Sequence, residues 1–362
     1  MMREPLIIVG AGPAGITAAI VLRRHGIPVR IYEKYPDAGY RLHGDFQGFE
    51  NWSSEKDVTQ LLQEIGIDIN FLYVPYFGGT IHAPGIAARK ASSGRPIFYL
   101  VKRGAMPGSL DFGLREQAEA LGVDFVFNHR VNDLEKTAIV GTGPTGVDAV
   151  ALGMTFETSR EDMAVVAFND SFARRGYAYL LVHQGCGTMA SVHYGDYGAQ
   201  KEAFGRMVEF FTGQINLDVR NENRFSGYAS FFLRNSQIHN KRLYVGESAG
   251  FQDYLWGFGM RYAILSGFLA ARSIIEGTDY DQLWRRELKP MLETSLVNRY
   301  LVEFFGDCAY RFLARQVSVG DPCTFLRRHY NYSFGKHLIL PLAKRAFKDR
   351  FQLGRVLPQC EG

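Results

Sequence analysis

Residues 5–34 read PLIIVGAGPAGITAAIVLRRHGIPVRIYEK. The first five residues are apolar and three of them, Ile7, Ile8 and Val9, are β-branched, as suits a short buried strand. PAGITAAIVLRRH at 13–25 reads as a helix stopped by Gly26. PVRIYE at 28–33 reads as a second strand, which completes a βαβ unit with parallel pairing. Between strand and helix lies Gly10-Ala11-Gly12-Pro13-Ala14-Gly15, a GxGxxG turn. Gly10 permits the tight turn, Gly12 leaves room for a pyrophosphate against the backbone, and Gly15 lets helix and sheet pack closely. The helix N-terminus adds free N–H groups and a positive dipole end. Glu33, at the end of the second strand and followed by Lys34, is placed to accept hydrogen bonds from two ribose hydroxyls and to repel a 2′-phosphate. The uncharged run Pro5–Leu22 is long enough to raise the question of a membrane span, but its central glycines and Pro13 fit a strand–turn–helix instead.

Working outward, the chain has 362 residues, 41 Lys+Arg, 37 Asp+Glu and a formal charge of +4. That balance gives no case for nucleic-acid binding, and the ordinary apolar and charged fractions exclude a disordered chain. Glycine (39), tyrosine (19) and phenylalanine (27) are abundant, a composition that suits backbone approach to a large flat ligand. The four cysteines, Cys186, Cys308, Cys323 and Cys360, form no CxxC and have no histidine at zinc spacing. The expectation is a reduced, cytoplasmic protein without a metal site, in which Cys308 and Cys323 pair only if the fold joins them. Helical signal recurs at 54–65, with Ser53 or Ser54 as its cap, and at 109–121, 198–213, 259–275 and beyond Tyr280. A hairpin is expected over 176–194, turning at Gly185–Gly187.

A second glycine cluster decides more. Residues 242–267 read RLYVGESAGFQDYLWGFGMRYAILSG: a strand, Gly246-Glu247, a loop with Gly250 and Gly257-Phe258-Gly259-Met260, then a helix. With the N-terminal motif, this resembles the flavoprotein family of geranylgeranyl reductases and, more distantly, aromatic hydroxylases. The resemblance implies FAD as cofactor. A Gly-Asp pair at this place holds the FAD ribityl and phosphate in that family, and here Glu247 replaces the aspartate. The glycines that follow would lay backbone against the isoalloxazine, with the helix N-terminus facing its N1–C2=O edge. By the same resemblance Arg103, in Val101-Lys102-Arg103, would contact the flavin nucleotide, and backbone near Val131 would meet the adenine. Gly141-Thr142-Gly143-Pro144-Thr145-Gly146 repeats GxGxxG and reads either as a second dinucleotide site or as the family's turn near the FAD pyrophosphate. YPDAGYRLHGDFQGFENW at 35–52 would face the flavin, with Arg41, His43 and Asp45 as polar candidates.

Tyr177-Ala178-Tyr179-Leu180-Leu181-Val182 resembles a diverged form of the family's aromatic lipid-lining strand. The expected fold class is α/β. It has a Rossmann-like FAD lobe (1–70, 101–160 and 240–280), an inserted, mostly antiparallel substrate lobe (71–100 and 161–239), and a helical basic C-terminus (281–362). The resemblance implies an oxidoreductase that takes electrons from NAD(P)H or a ferredoxin-type protein and delivers hydride from FAD to a double bond of a hydrophobic, prenyl-lipid-like substrate. Tyr177, Tyr179, His183 and Cys186 are the candidate proton donors. An FAD monooxygenase, or a non-catalytic flavin electron carrier or lipid-binding protein, shares these motifs and stands as the alternative. Between Arg327 and Arg355 eight Lys/Arg and one acid interleave with Phe334, Leu338, Leu342, Phe347 and Phe351. That pattern suits either a solvated covering helix or peripheral contact with an anionic membrane.

Overall fold

The computed structural model describes residues 4–131, 137–195 and 198–351. Three sheets organise them. The first runs β15 (Ile238–His239), β16 (Arg242–Tyr244), β9 (Ala138–Val140), β1 (Leu6–Val9), β2 (Val29–Tyr32) and β8 (Asp124–Val126), parallel except for the β15–β16 pair. The second runs β14 (Arg220–Ala229), β10 (Ala149–Glu157), β13 (Cys186–His193), β12 (Tyr177–His183), β11 (Met163–Ala167), β5 (Gly78–His82) and β6 (Arg89–Ser92). It is antiparallel except where β11 meets β5. The third joins β3 (His43–Glu50), β7 (Phe98–Gly104) and β4 (Tyr73–Tyr76).

The α/β class and the Rossmann-like lobe with its antiparallel companion are as the sequence implied. The sheets divide the chain differently at three places, one of them β15, which lies within 161–239 but pairs with β16 at the edge of the parallel sheet. β10, within 101–160, is an inner strand of the seven-stranded sheet because it pairs along its length with both β13 and β14. β4, within 71–100, pairs with β7 rather than with the large sheet.

Helix α1 (Pro13–Arg24) lies against α5 (Met260–Glu276), and the two glycine clusters meet there. A Cβ on Gly267 would stand 2.1 Å from the Ala14 carbonyl oxygen, so only glycine allows this crossing. Helix α2 (Val58–Ile65) starts later than expected. Its cap is Asp57, whose side chain accepts from the Thr59 N–H, rather than Ser53 or Ser54. Ser53 instead donates from Oγ to buried Glu50 at 2.6 Å. Helix α3 (Leu110–Ala120) carries the expected Ser109 cap. The β12–β13 hairpin turns on Gln184 and Gly185 rather than over Gly185–Gly187: these two stand at positive φ, as a tight two-residue turn demands, and Gly187 already pairs with Val182 inside β13. Helix α4 (Gln200–Ile215) covers the seven-stranded sheet. Helices α6 (Tyr280–Glu287), α7 (Lys289–Phe305), α8 (Asp307–Val319), α9 (Pro322–Tyr330) and α10 (Phe334–Phe347) form the C-terminal layer. Cys186, Cys308 and Cys323 are free thiols, so Cys308 and Cys323 do not pair; Cys360 lies outside the described residues. Among the described residues no helix is long and apolar enough to cross a membrane.

Candidate functional site

A cavity of about 730 Å3 runs between the parallel sheet, the seven-stranded sheet and the C-terminal helices. Its polar end is built by the first βαβ unit. Gly10 sits at φ +104°, and a Cβ there would lie 2.2 Å from the Gly141 carbonyl oxygen; one on Gly15 would lie 2.1 Å from the Gly10 carbonyl oxygen. These two glycines serve packing. A Cβ on Gly12 would meet nothing within 4 Å, so the space beside this backbone is open. Gly12 caps α1 without a side-chain hydrogen bond, and the first turn holds no acid, so its leading N–H groups and dipole face the cavity unopposed. Glu33 fixes the turn by accepting from the Ala11 N–H at 2.8 Å and the Tyr35 N–H at 3.0 Å.

The second glycine cluster closes on the same space. Gly246 (φ +60°) opens a 3-10 turn over Gly246–Ala249 whose backbone packs beside Ala14. The 250–259 loop is held by buried Asp253, which accepts from the Trp256 N–H at 2.7 Å and the Tyr330 hydroxyl at 3.0 Å. Burial pushes the Asp253 carboxyl up to about 7. Gln252 donates to the Gly257 carbonyl at 2.8 Å and lies under Gly257 and Gly259, which lead into α5. The opposite end of the cavity is apolar, walled by Ile81, Val166, Tyr177, Tyr179, Leu181 and Trp256, and reaches Leu313 and Leu326 on α8 and α9.

Residues 8–50 match the NAD(P)-binding Rossmann-like domain. A geranylgeranyl bacteriochlorophyll reductase-like protein from Thermoplasma acidophilum superposes with a TM-score of 0.69 over 96% of this chain and 98% of its own, at 16% identity. The fold is that of the geranylgeranyl reductase-like flavoproteins. The same flavoprotein fold is shared with the flavin-dependent brominase Bmp2, at a TM-score of 0.65, 13% identity, and 95% and 98% coverage. Thiamine thiazole synthase of Thermococcus kodakarensis is 32% identical over 101 residues, 27% of this chain and 39% of that protein. The chain therefore spans about two fifths of that relative's length.

The flavoprotein fold sorts the expected cofactor residues. Ala11, Gly12, Pro13, Ala14, Glu33, Lys34, Arg41, Arg103, Gly246, Glu247, Gly257, Phe258, Gly259 and Met260 line the one cavity. Gly10 and Gly15 stand behind it as packing glycines, and Gly250 (φ +74°) caps the 3-10 turn out of the wall. Val131 lies beyond the end of β8 and does not line the cavity. Arg103 is clamped by Asp111 through Nε–Oδ2 at 2.8 Å and Nη2–Oδ1 at 2.9 Å, and it donates to Gln47 at 3.2 Å. It is thus a buried ion pair and a cavity residue at once. Gly141–Gly146 does not open a helix. It leads to β10, so the second GxGxxG lacks the helix N-terminus that a dinucleotide site needs, and its first residues wall the same cavity.

Of the four candidate proton donors, His183 and Cys186 lie at the hairpin end, away from the cavity. His183 contacts Asp162 at 2.6 Å, and Cys186 is exposed. Tyr177 and Tyr179 line the apolar arm, because alternate residues of a strand share one face. The Tyr177 hydroxyl is committed to the Trp256 carbonyl at 2.7 Å. The Tyr179 hydroxyl enters no hydrogen bond among the described residues. Burial, with Asp45 nearby, pushes it above the ordinary tyrosine range, so it keeps its proton.

Three buried polar atoms in the wall have no partner: Trp52 Nε1, the Tyr194 hydroxyl and Gln252 Oε1. All three atoms are themselves shut off from the open space, so they belong to the packing of the wall and offer nothing to a ligand. The open backbone at Gly12 and the unopposed helix end, on a cavity of this length, fit an extended, anionic nucleotide such as FAD. None of the three atoms was singled out from sequence; Gln252 lies inside the quoted glycine loop, yet only its packing under Gly257 exposes its role.

Glu247 accepts from the Ser230 N–H at 3.0 Å. Burial raises its carboxyl to about 7, against the lowering effect of Arg41. A carboxyl raised on folding makes the folded state bind its proton more tightly. Its favourable contribution is therefore present below the ordinary carboxylate pKa and lost as pH rises through about 7. Glu247→Gln should stabilise the apoprotein by ~1–2 kcal/mol near pH ~8 and by almost nothing near pH ~5, read from urea unfolding at both. Equal effects at the two values would rule the buried carboxyl out as the cause.

Proposed function

We propose that the protein is an FAD-dependent oxidoreductase that reduces a carbon–carbon double bond of a hydrophobic, prenyl-lipid-like substrate. The observation that carries this reading is the continuity of the cavity: the phosphate-ready end at Gly12 and the apolar arm at Tyr177–Leu181 are one space. Bound FAD would supply the hydride. The backbone of Gly12 and the N-terminus of α1 would hold the pyrophosphate, Glu33 the adenosine ribose, and the Gly257–Met260 backbone with Gln252 the ring. The apolar arm binds the substrate and excludes water. Tyr179 holds a proton at its hydroxyl, facing the cavity, and would deliver it to the carbon that does not receive hydride, so that the alkene gains H2.

Tyr179→Phe should leave flavin content and the dithionite-reduced spectrum unchanged. It should slow reoxidation by an alkene substrate by ~10–100-fold, since water replaces a positioned hydroxyl poorly. An unchanged reoxidation rate removes Tyr179 from the step. The reading as a whole is tested by the visible spectrum of the purified protein and by anaerobic incubation of the dithionite-reduced protein with a polyprenyl lipid, followed by mass spectrometry. Gain of H2 supports it. Oxygen incorporated under air would favour a monooxygenase, and an unaltered lipid with a redox-active flavin would favour an electron carrier.

A further inference from the structure

The outer surface of the C-terminal layer is unlike the rest of the molecule. Of fourteen large hydrophobic side chains exposed among the described residues, eight lie between Phe304 and Leu342. Scattered single apolar residues are ordinary; a concentration of this kind marks a contact surface. The exposed residues fall in stripes. On α10, Phe334 (75% exposed), Leu338 and Leu342 are spaced four apart, and exposed Arg345 continues the same face. Leu340, Ala343 and Phe347 occupy the opposite, buried face. On α8, Phe312, Arg315 and Val319 (90% exposed) point outward, while Leu313 and Val317 on the reverse face line the cavity. α8 is thus a wall one helix thick between the apolar arm and an apolar exterior.

Charge identifies the occupant. Arg315, Arg328, Arg345 and Lys348 are exposed and enter no ion pair among the described residues. Bases beside exposed Phe, Leu and Val suit an anionic bilayer surface, where the apolar side chains enter the acyl boundary and the cations stay among headgroups. We propose that the outer faces of α8 and α10, together with Arg328 of α9, dock on an anionic lipid bilayer, placing the apolar arm behind α8 next to the membrane. Only the link to substrate entry rests on the proposed function; the contact itself does not.

The test is flotation of the full chain with large unilamellar vesicles of phosphatidylcholine, alone or with about 30% phosphatidylglycerol. The wild type should float with the anionic vesicles and not with the neutral ones, and should be released by salt. F334S/L338S/L342S should lower the bound fraction by about tenfold or more, and R315E/R328E/R345E/K348E should abolish the anionic preference. All seven positions lie on the surface, and two independent variants keep the test open if one fails to fold. Three results would overturn the proposal. One is wild type that ignores anionic vesicles; another is variants that float as well as wild type. The third is a mass doubling with concentration, abolished by F334S/L338S/L342S, which would assign the face to a second copy of the chain. Flavin is read in the same fractions. Colourless protein that floats counts against the flavin reading alone, and yellow protein that stays behind counts against docking alone.

Discussion

Alanine at position 12 is expected to cost FAD affinity about a hundredfold or more while leaving the apoprotein as stable as wild type, or slightly more so. The two effects separate because of what surrounds this residue. Gly12 has φ −83° and ψ 173°, which any residue adopts, and a Cβ there meets no protein atom within 4 Å. Folding therefore has no objection to alanine, and the lower backbone entropy of the unfolded chain favours it by ~0.4–1 kcal/mol. The added methyl instead occupies the open space beside the N-terminus of α1, where a pyrophosphate must approach the backbone. Gly15→Ala is the control. Its Cβ would lie 2.1 Å from the Gly10 carbonyl oxygen, so it should lower stability before any ligand is added. Thermal melts of the two apoproteins and quenching of FAD fluorescence on titration decide the matter. If G12A binds FAD normally, the nucleotide does not cross the helix end at this residue.

This contrast also shows what a sequence can carry. The βαβ unit and its GxGxxG turn were legible because every contact that defines them is local: strand, turn, helix and Glu33 lie within thirty residues. The Gly246–Met260 cluster was legible by resemblance, and the β12–β13 hairpin by its glycine turn. The separation of Tyr179 from Tyr177 was not, because it depends on the Trp256 carbonyl, 79 residues from Tyr177. His183 and Cys186 shared a strand pair with the tyrosines in the sequence. Position along the hairpin, rather than residue type, takes them away from the cavity. The far wall at Leu313 and Leu326 carries only ordinary helical periodicity, and nothing local distinguishes a helix covering a core from one covering a cavity. Asp57 rather than either serine caps α2, and Ser53 is drawn to Glu50, three residues away; the long-range part is the burial of Glu50 against Arg261, which no local pattern announces.

Glu50 leads to the largest stability effect expected in the molecule. It is 3% exposed, as is Arg261, and the two approach at 3.1 Å between Nε and Oε1, joining β3 to the first turn of α5. Glu50 also accepts from the Trp52 and Ser53 N–H groups at 3.1 and 3.0 Å, while Arg261 donates to the Lys56 carbonyl at 3.2 Å. Arg261 follows Met260, a cavity residue, so this pair sets where the start of α5 stands relative to the third sheet. Removing the cation alone strands a buried carboxylate, and Arg261→Met should cost ~3–5 kcal/mol in urea unfolding of the apoprotein. Removing both charges costs much less, because desolvating an ion pair consumes most of what the pair returns. The double variant E50Q/R261M should therefore recover more than half of the loss, since glutamine can still accept from the two N–H groups. A single variant within ~1 kcal/mol of wild type, or a double variant no better than the single, would mean that the surrounding hydrogen bonds rather than the charge pair hold α5 in place.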